Sequence, residues 1–253
     1  MKNKLKVQYM SDLHLEFGDM QVPDVAGDVL VLAGDIGVGD SAVKWINKCA
    51  LVFKDVIYIC GNHEFYHQDM PKLLYDFRVN TVWEPNVHFL NNNTITIKGV
   101  KFAASTLWAD MTNNAFFSMN DSRIINYAGE RMSFFKVKAL HQESMMFLQD
   151  NIDADVFITH HCPSIKSINQ NRYPDDTINS GYYTNILNKF ADCNVKHWIC
   201  GHTHSALKYK EKGITVYNNC RGYINRSTGK CEVKDFNPNA IFEVEIQDKI
   251  PLW

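Results

Sequence analysis

Nine side chains in five short stretches of this chain are of types that bind metal ions or carry protons. They are Asp12 and His14 in VQYMSDLH, Asp35 in DVLVLAGD, Asn62 and His63 in DVIYICGNHE, His160 and His161 in DVFITHH, and His202 and His204 in VKHWICGHTH. Each group follows directly on an apolar run. A set of imidazole, amide and carboxylate donors suits Mn, Fe, Zn, Ni or Co rather than Ca. The pattern therefore points to a metal centre.

Short apolar runs bounded by Gly and Asp are expected to form buried strands. In α/β sheets, ligands gather outside the carboxyl ends of such strands. Five strands ending in Asp, His or Asn can thus deliver all these groups to one edge. The first half of the chain alternates cleanly: strands ending at Met10 and over 28–33 and 56–60, with helices expected over 41–53, capped by Ser41, and over 70–79. That alternation implies a mainly parallel sheet. Short strands at 87–90, 94–97 and 100–104 suggest an antiparallel stretch. Residues 106–138 form an irregular, cap-like segment, followed by a helix at 137–148 and a strand at 156–159. An irregular loop at 162–181 precedes a helix near 182–190 and the strand ending in GHTH. Strands expected at 208–210, 215–218, 232–235 and 241–246 again look antiparallel. The chain, 253 residues long, has no repeat, linker or low-complexity tract, so a single domain over 1–253 is the simplest account.

Composition narrows the function classes. A hydrophobic content of 45% with 21% charged residues is ordinary for a soluble protein. The net charge of -2 offers no global attraction to nucleic acid or anionic membrane. The N-terminus enters a strand at once and lacks the pattern of a signal peptide. No apolar stretch approaches the roughly 18 residues that span a bilayer. Seven scattered cysteines with no C-x-x-C pair argue for reduced thiols and a cytoplasmic setting. Cys60 and Cys200, each just before a Gly-led motif, are expected to be packed rather than ligating.

Taken in order, D-x-H, G-D, G-N-H-E, H and G-H-x-H resemble the calcineurin-like metallophosphoesterase superfamily, and the matching segments run from Ser11 to Ser205. The resemblance implies an α/β fold, a four-layer αββα sandwich of two mixed β-sheets flanked by helices. It implies that Asp12, His14, Asp35 and His204 hold one metal ion, and that Asp35 bridges to a second ion held by Asn62, His202 and a histidine of HHCPS. His160 comes directly off its strand and is the favoured ligand; His161 would then face substrate or support the ligands from behind. Two divalent cations, Mn²⁺ foremost, would lower the pKa of a bridging water and clamp the attacking and leaving oxygens. Asp35 would thus serve catalysis as well as binding, and His63 would protonate the leaving group. The remaining histidines, His67, His88, His141 and His197, are expected to be packed or solvated, with His67 close enough to GNHE for a supporting role.

Substrate is less sharply indicated. Ser/Thr protein phosphatases of this superfamily carry G-D-x-x-D-R-G, whereas GDIGVGD here puts Val38 and Gly39 where that Asp and Arg would be. The Asp would have supported the catalytic histidine, so a partner for His63 is left to be found. The resemblance is closest to small bacterial and phage phosphoesterases. The expected activity is hydrolysis of a phosphodiester, a nucleotide or another small soluble diester. The competing readings are a phosphomonoesterase, a protein phosphatase and a non-catalytic metal-binding scaffold. Asn120, Asp121 and Arg123 in the cap-like segment, Arg221 in NNCRGY and Trp108 are candidate substrate contacts, with Arg221 able to pair with a phosphate oxygen.

Overall fold

The computed structural model describes residues 3–169 and 177–246. Two mixed sheets face each other. The first runs β13-β1-β2-β3-β4, from β1 (Lys4–Met10), β2 (Val29–Ala33), β3 (Asp55–Ile59), β4 (Val87–Phe89) and β13 (Ile241–Glu245). The second runs β11-β12-β10-β9-β6-β5, from β5 (Asn93–Ile97), β6 (Val100–Ser105), β9 (Val156–Thr159), β10 (His197–Cys200), β11 (Ala206–Glu211) and β12 (Ile214–Asn219). β1 to β4 are mutually parallel, with β13 antiparallel to β1 at the edge. In the second sheet β6, β9, β10 and β12 are parallel, and β5 and β11 are antiparallel edges.

Strand periodicity sorts the core into three layers. Val29, Val31 and Ala33 of β2 point inward, meeting Phe102, Ile158 and Ile199 of the other sheet. Leu30 and Leu32 point outward against Ile46 and Cys49 of α1 (Val43–Ala50) and the group around Leu73 and Phe77 of α2 (Met70–Val79). On the far side, Phe157, Trp198 and Cys200 pack against Leu148 of α5 (Phe134–Gln149) and Phe190. This is the helix–sheet–sheet–helix sandwich the resemblance implies.

Several local expectations give way to loop chemistry. α1 is shorter than 41–53: the Ser41 N–H closes a turn on Val38, no side chain caps the helix, and Val52 and Phe53 both bond back to the Cys49 carbonyl. β4 lies parallel to β3 in the first sheet, so only β5 and β6 form the antiparallel pair expected of 87–104. The 106–138 segment contains α3 (Asn113–Ser118), α4 (Asp121–Ile124) and a small hairpin, β7 (Asn126–Tyr127) and β8 (Glu130–Arg131). α5 starts at Phe134 because the Ser133 hydroxyl accepts from the Lys136 N–H. No helix spans 182–190: the chain at Tyr182–Thr184 pairs with Cys162, and only Leu187–Phe190 turns, as a 3₁₀ segment. No strand forms at 232–235, where Glu232 is drawn into bonds with Tyr223. Residues 170–176 of the expected irregular loop lie outside the described residues.

Candidate metal centre

The edge that the motifs predict is formed by tight backbone reversals at strand ends. Asp12, His14, Asp35, His202 and His204 all take left-handed φ values, between 44° and 68°. Such values are uncommon for residues with a side chain, and clusters of them mark functional edges. The reversals fold each side chain back over the end of its strand. The Asp12 N–H bonds Gly34 O and the His14 N–H bonds Asp35 O, which locks the first two loops together. Glycine is required between them: a methyl group on Gly61 would overlap Asp35 Oδ1, and one on Gly34, itself at φ +87°, would lie 2.6 Å from the His160 ring and the Gly61 nitrogen.

Three groups of donors result: Asp12, His14 and His204; His14, Asp35 and His63; and Asp35, His160 and His202. His14 Nε2 lies 3.0 Å from His204 Nε2 and 3.9 Å from Asp35 Oδ2. His160 Nε2 lies 3.3 Å from Asp35 Oδ2, 3.2 Å from Asn62 Oδ1 and 3.2 Å from His202 Nδ1. Asp35 therefore stands between the two sets. Seven residues singled out as ligands, Asp12, His14, Asp35, Asn62, His160, His202 and His204, meet here, with His63 beside them.

The outward nitrogens test whether this set fits a cation. His14 Nδ1 faces Glu16 Oε1 at 3.2 Å, His204 Nδ1 faces Glu232 Oε2 at 2.6 Å, and His160 Nδ1 faces the Ala33 carbonyl at 2.9 Å. Each acceptor fixes the ring proton on the outer nitrogen and turns a lone pair inward, the arrangement that orients metal-binding imidazoles. Asp12 is held by both of its oxygens on the His202 N–H. Asn62 donates its amide to Asp121 Oδ1 at 2.9 Å and Tyr66 at 3.1 Å, which leaves its oxygen for the centre. The donor set is one that could hold metal ions.

Electrostatics agree. Burial opposes charge on Asp35, but His160 and His63 hold its carboxyl well below the usual range. Burial likewise opposes protonation of His160, and the charge of Asp35 overrides it, raising the imidazole to about 10. Opposite charges packed this closely make a site where a cation displaces protons. His161 behaves differently: buried, and beside His160, it is pushed down to about 3. Its Nδ1 faces the Thr106 carbonyl, and its ring lies 4.2 Å from that of His202. It stands behind His202 rather than facing the cleft.

Above the centre opens a cleft of about 250 Å³ bordered by Asn62, His63, Met119, Tyr182, His202 and Tyr223. Asn120 lines it. Asp121 does not; it is buried beneath Asn62 and Tyr66, where burial raises its carboxyl despite their hydrogen bonds. Arg123 donates to the Phe117 carbonyl on the outer surface. Arg221 is corrected most clearly. Its guanidinium is spent on the carbonyls of Leu13, Gly18 and Asp19, at 2.7 to 3.0 Å, and clamps the loop after β1 instead of meeting a phosphate. Trp108 is buried and stacked on Phe65. His141 and His197 are bound to carbonyls and to Tyr217, His88 pairs with Asp55, and His67 is exposed. All seven cysteines are free thiols, with Cys60 and Cys200 buried.

Three acids escaped the sequence argument. Glu16 and Glu64 sit two residues after His14 and directly after His63, and a charge inside such a motif was a usable signal. Glu232 gave none, since it reaches His204 from 28 residues away. Glu64 is fully buried. Its carboxylate accepts from the backbone N–H groups of Asp35, Ile36 and Gly61 and from the Tyr58 hydroxyl. Burial and the charge of Asp35 raise it to about 7.

Residues 8–206 match the calcineurin-like phosphoesterase family. Over 276 aligned positions the chain is 27% identical to uncharacterized protein L509 of Acanthamoeba polyphaga mimivirus, covering 94% of this chain and 96% of that one. Among solved structures it is similar to the phosphopantetheinyl hydrolase PptH of Mycobacterium tuberculosis, with a TM-score of 0.66 at 16% identity over 88% of this chain and 91% of that one. It is also similar to GAP50, the anchor in the inner membrane complex of Plasmodium, with a TM-score of 0.51 at 11% identity over 96% and 79%. These structures share the fold. With five ordered motifs converging on one edge and a match across most of its length, the chain belongs to the calcineurin-like phosphoesterase family.

Proposed function

We propose that this protein is a phosphodiesterase acting on a small soluble diester such as a nucleotide, with two divalent ions, Mn²⁺ foremost, held by Asp12, His14, Asp35 and His204 and by Asp35, Asn62, His160 and His202. The observation that carries the reading is the convergence of the inward ring nitrogens of His14, His160 and His204 on Asp12 and Asp35. When bound, the ions supply positive charge for the phosphoryl oxygens and an activated water as nucleophile. The rest falls to the chain. Asp35 offers one oxygen to the His63 N–H at 2.8 Å and the other to the donors around His160, so it ties the proton donor to the ligand set. Burial opposes a proton on His63, but Asp35 and Glu16 raise its pKa. That favours its use as the acid that protonates the departing oxygen as the P–O bond breaks.

Two aromatic walls support a diester. Tyr182 lies 5.1 Å from the His202 ring, and Tyr223 lies 4.6 Å from the His14 ring, so each donor set has its own flat neighbour for one ester substituent. We take 1–253 as one domain, with residues 106–138 as a cap that lends Met119 and Asn120 to the cleft. No helix among the described residues is long and apolar enough to cross a membrane. The free thiols support a cytoplasmic setting.

The test is turnover of bis-p-nitrophenyl phosphate against p-nitrophenyl phosphate by the Mn²⁺-loaded protein. Preference for the diester is expected. Preference for the monoester would make it a phosphatase, and bound metal without turnover of either would make it a scaffold.

A further inference from the structure

The proton donor has a partner that no motif assigned. His63 Nδ1 lies 3.1 Å from Glu16 Oε1, the same oxygen that faces His14 Nδ1 at 3.2 Å. The His63 ring is packed on Tyr66, with centroids 4.0 Å apart, and meets His14 edge-on at 4.4 Å. Its other nitrogen, Nε2, lies 3.4 Å from the Tyr223 hydroxyl, on the side that lines the cleft. Glu16 is itself held in place. The loop carrying it is pinned on both flanks by Arg221, through the carbonyls of Leu13, Gly18 and Asp19, and by the Phe17 N–H on His14 O. Its second oxygen, Oε2, is buried without a hydrogen-bond partner, so the side-chain contacts that orient the carboxylate are those to the two imidazoles. Val38, at the position where related protein phosphatases place the supporting acid, is apolar and packs against the outer core.

We propose that Glu16 is the positioning residue for His63: one carboxylate oxygen fixes the Nδ1–H form of the ring, presents Nε2 to the leaving oxygen, and ties that ring to the ligand His14. This rests on the functional reading above only for the identity of the leaving group. A carboxylate on Nδ1 holds the ring in one tautomer and one orientation whether or not Nε2 carries a proton, which is what a general acid that must reload needs. The arrangement also links the two roles in space: a shift of His14 on its ion moves the oxygen that orients His63.

The experiment compares the full chain with Glu16→Ala and the shape-preserving Glu16→Gln. Long-range ¹H–¹⁵N NMR of the Zn²⁺-loaded protein reads the His63 tautomer directly. The wild type should show Nδ1–H, and Glu16→Ala a mixture of the two forms. Turnover of aryl and alkyl diesters with rising leaving-group pKa gives the second readout. With metal at saturating concentration, because the variant also loses the acceptor on His14 Nδ1, Glu16→Ala should lose about 10-fold with the best leaving group and about 10²- to 10³-fold with the poorest, with Glu16→Gln between. An equal loss across all leaving groups, or an unchanged His63 tautomer in Glu16→Ala, would overturn the proposal. A wild type that turns over no phosphoester yet shows the Glu16-dependent tautomer would sink the functional reading and leave the positioning role standing.

Discussion

At the amino ends of the strands, Asp28 meets Lys98 at 2.9 Å and Asp55 meets His88 at 2.9 Å; at the carboxyl ends, Asp12 and Asp35 meet five histidines. The residue types overlap, but the outcomes differ. Each amino-end pair is one acid with one base at a wetted surface, where such pairs contribute about 0–1 kcal/mol. At the other edge Asp12, His14 and His160 have no exposed surface, and several donors crowd each carboxylate. Water cannot resolve that crowding, whereas a cation can. What separates the edges is the backbone. Left-handed turns after β1, β2 and β10 aim side chains across the sheet ends, while the amino ends have no such reversal at Asp28, Asp55 or His197.

The sharpest way to break this contrast is to neutralise one acid at each edge. Asp35→Asn removes the carboxylate shared by the two donor sets. It should abolish two-metal occupancy, read by elemental analysis, and turnover with it. Asp55→Asn should leave metal content and rate unchanged and shift stability by no more than about 0.5 kcal/mol. Two retained ions and full rate in Asp35→Asn would remove the bridging role. Next in size is His63→Ala, which should keep both ions and lose about 10²- to 10⁴-fold in kcat, most with poor leaving groups. Loss of metal there would move His63 into the ligand set.

A smaller effect tests the support beneath the floor. Glu64 gathers three backbone N–H groups from the loops after β2 and β3. Glu64→Gln puts an amide donor among those donors. It should weaken metal binding about 10- to 100-fold, as is usual for groups that orient ligands, and lower the thermal midpoint. Isothermal titration with Mn²⁺ measures the first. Unchanged affinity would mean that the loops hold their shape without it.

The two edges also differ in how much of them the sequence discloses. Asp12, Asp35, Asn62 and His202 could be placed because each ends an apolar run, and strand ends at one sheet edge must meet. The same runs marked the strands, while the four-layer sandwich was implied by the family resemblance. The cleft wall was less legible. Tyr182 is positioned by strand-like pairing of its neighbours with Cys162, and Glu232 by bonds to Tyr223, both non-local contacts that override helix and strand signals. Arg221 shows the same limit. Its type suggested a phosphate, but three carbonyls of a loop some two hundred residues earlier claim every donor it uses.

The finest test of the contrast lies on one strand. β10 begins with His197 and runs out into His202 and His204. His197 is half-buried, stacked on Phe242 at 5.0 Å, with Nδ1 3.1 Å from the Tyr217 hydroxyl. Burial, aided by Lys208 and only partly offset by Asp155, pushes its pKa down to about 4. An unfolded chain carries this group near 6.5. Between those values the unfolded state binds the extra proton, so the contribution of His197 to stability is whole above about pH 6.5 and is lost as pH falls towards 4. Solvent screening at a half-buried site reduces the effect to about 1–2 kcal/mol. Urea midpoints measured with chelator from pH 7.5 to 4.5 should therefore fall more steeply for the wild type than for His197→Gln. Metal affinity at pH 7.5 should be the same in both. Parallel acid limbs would show that this histidine titrates as freely folded as unfolded, and that the apolar stack at the amino end does not desolvate it.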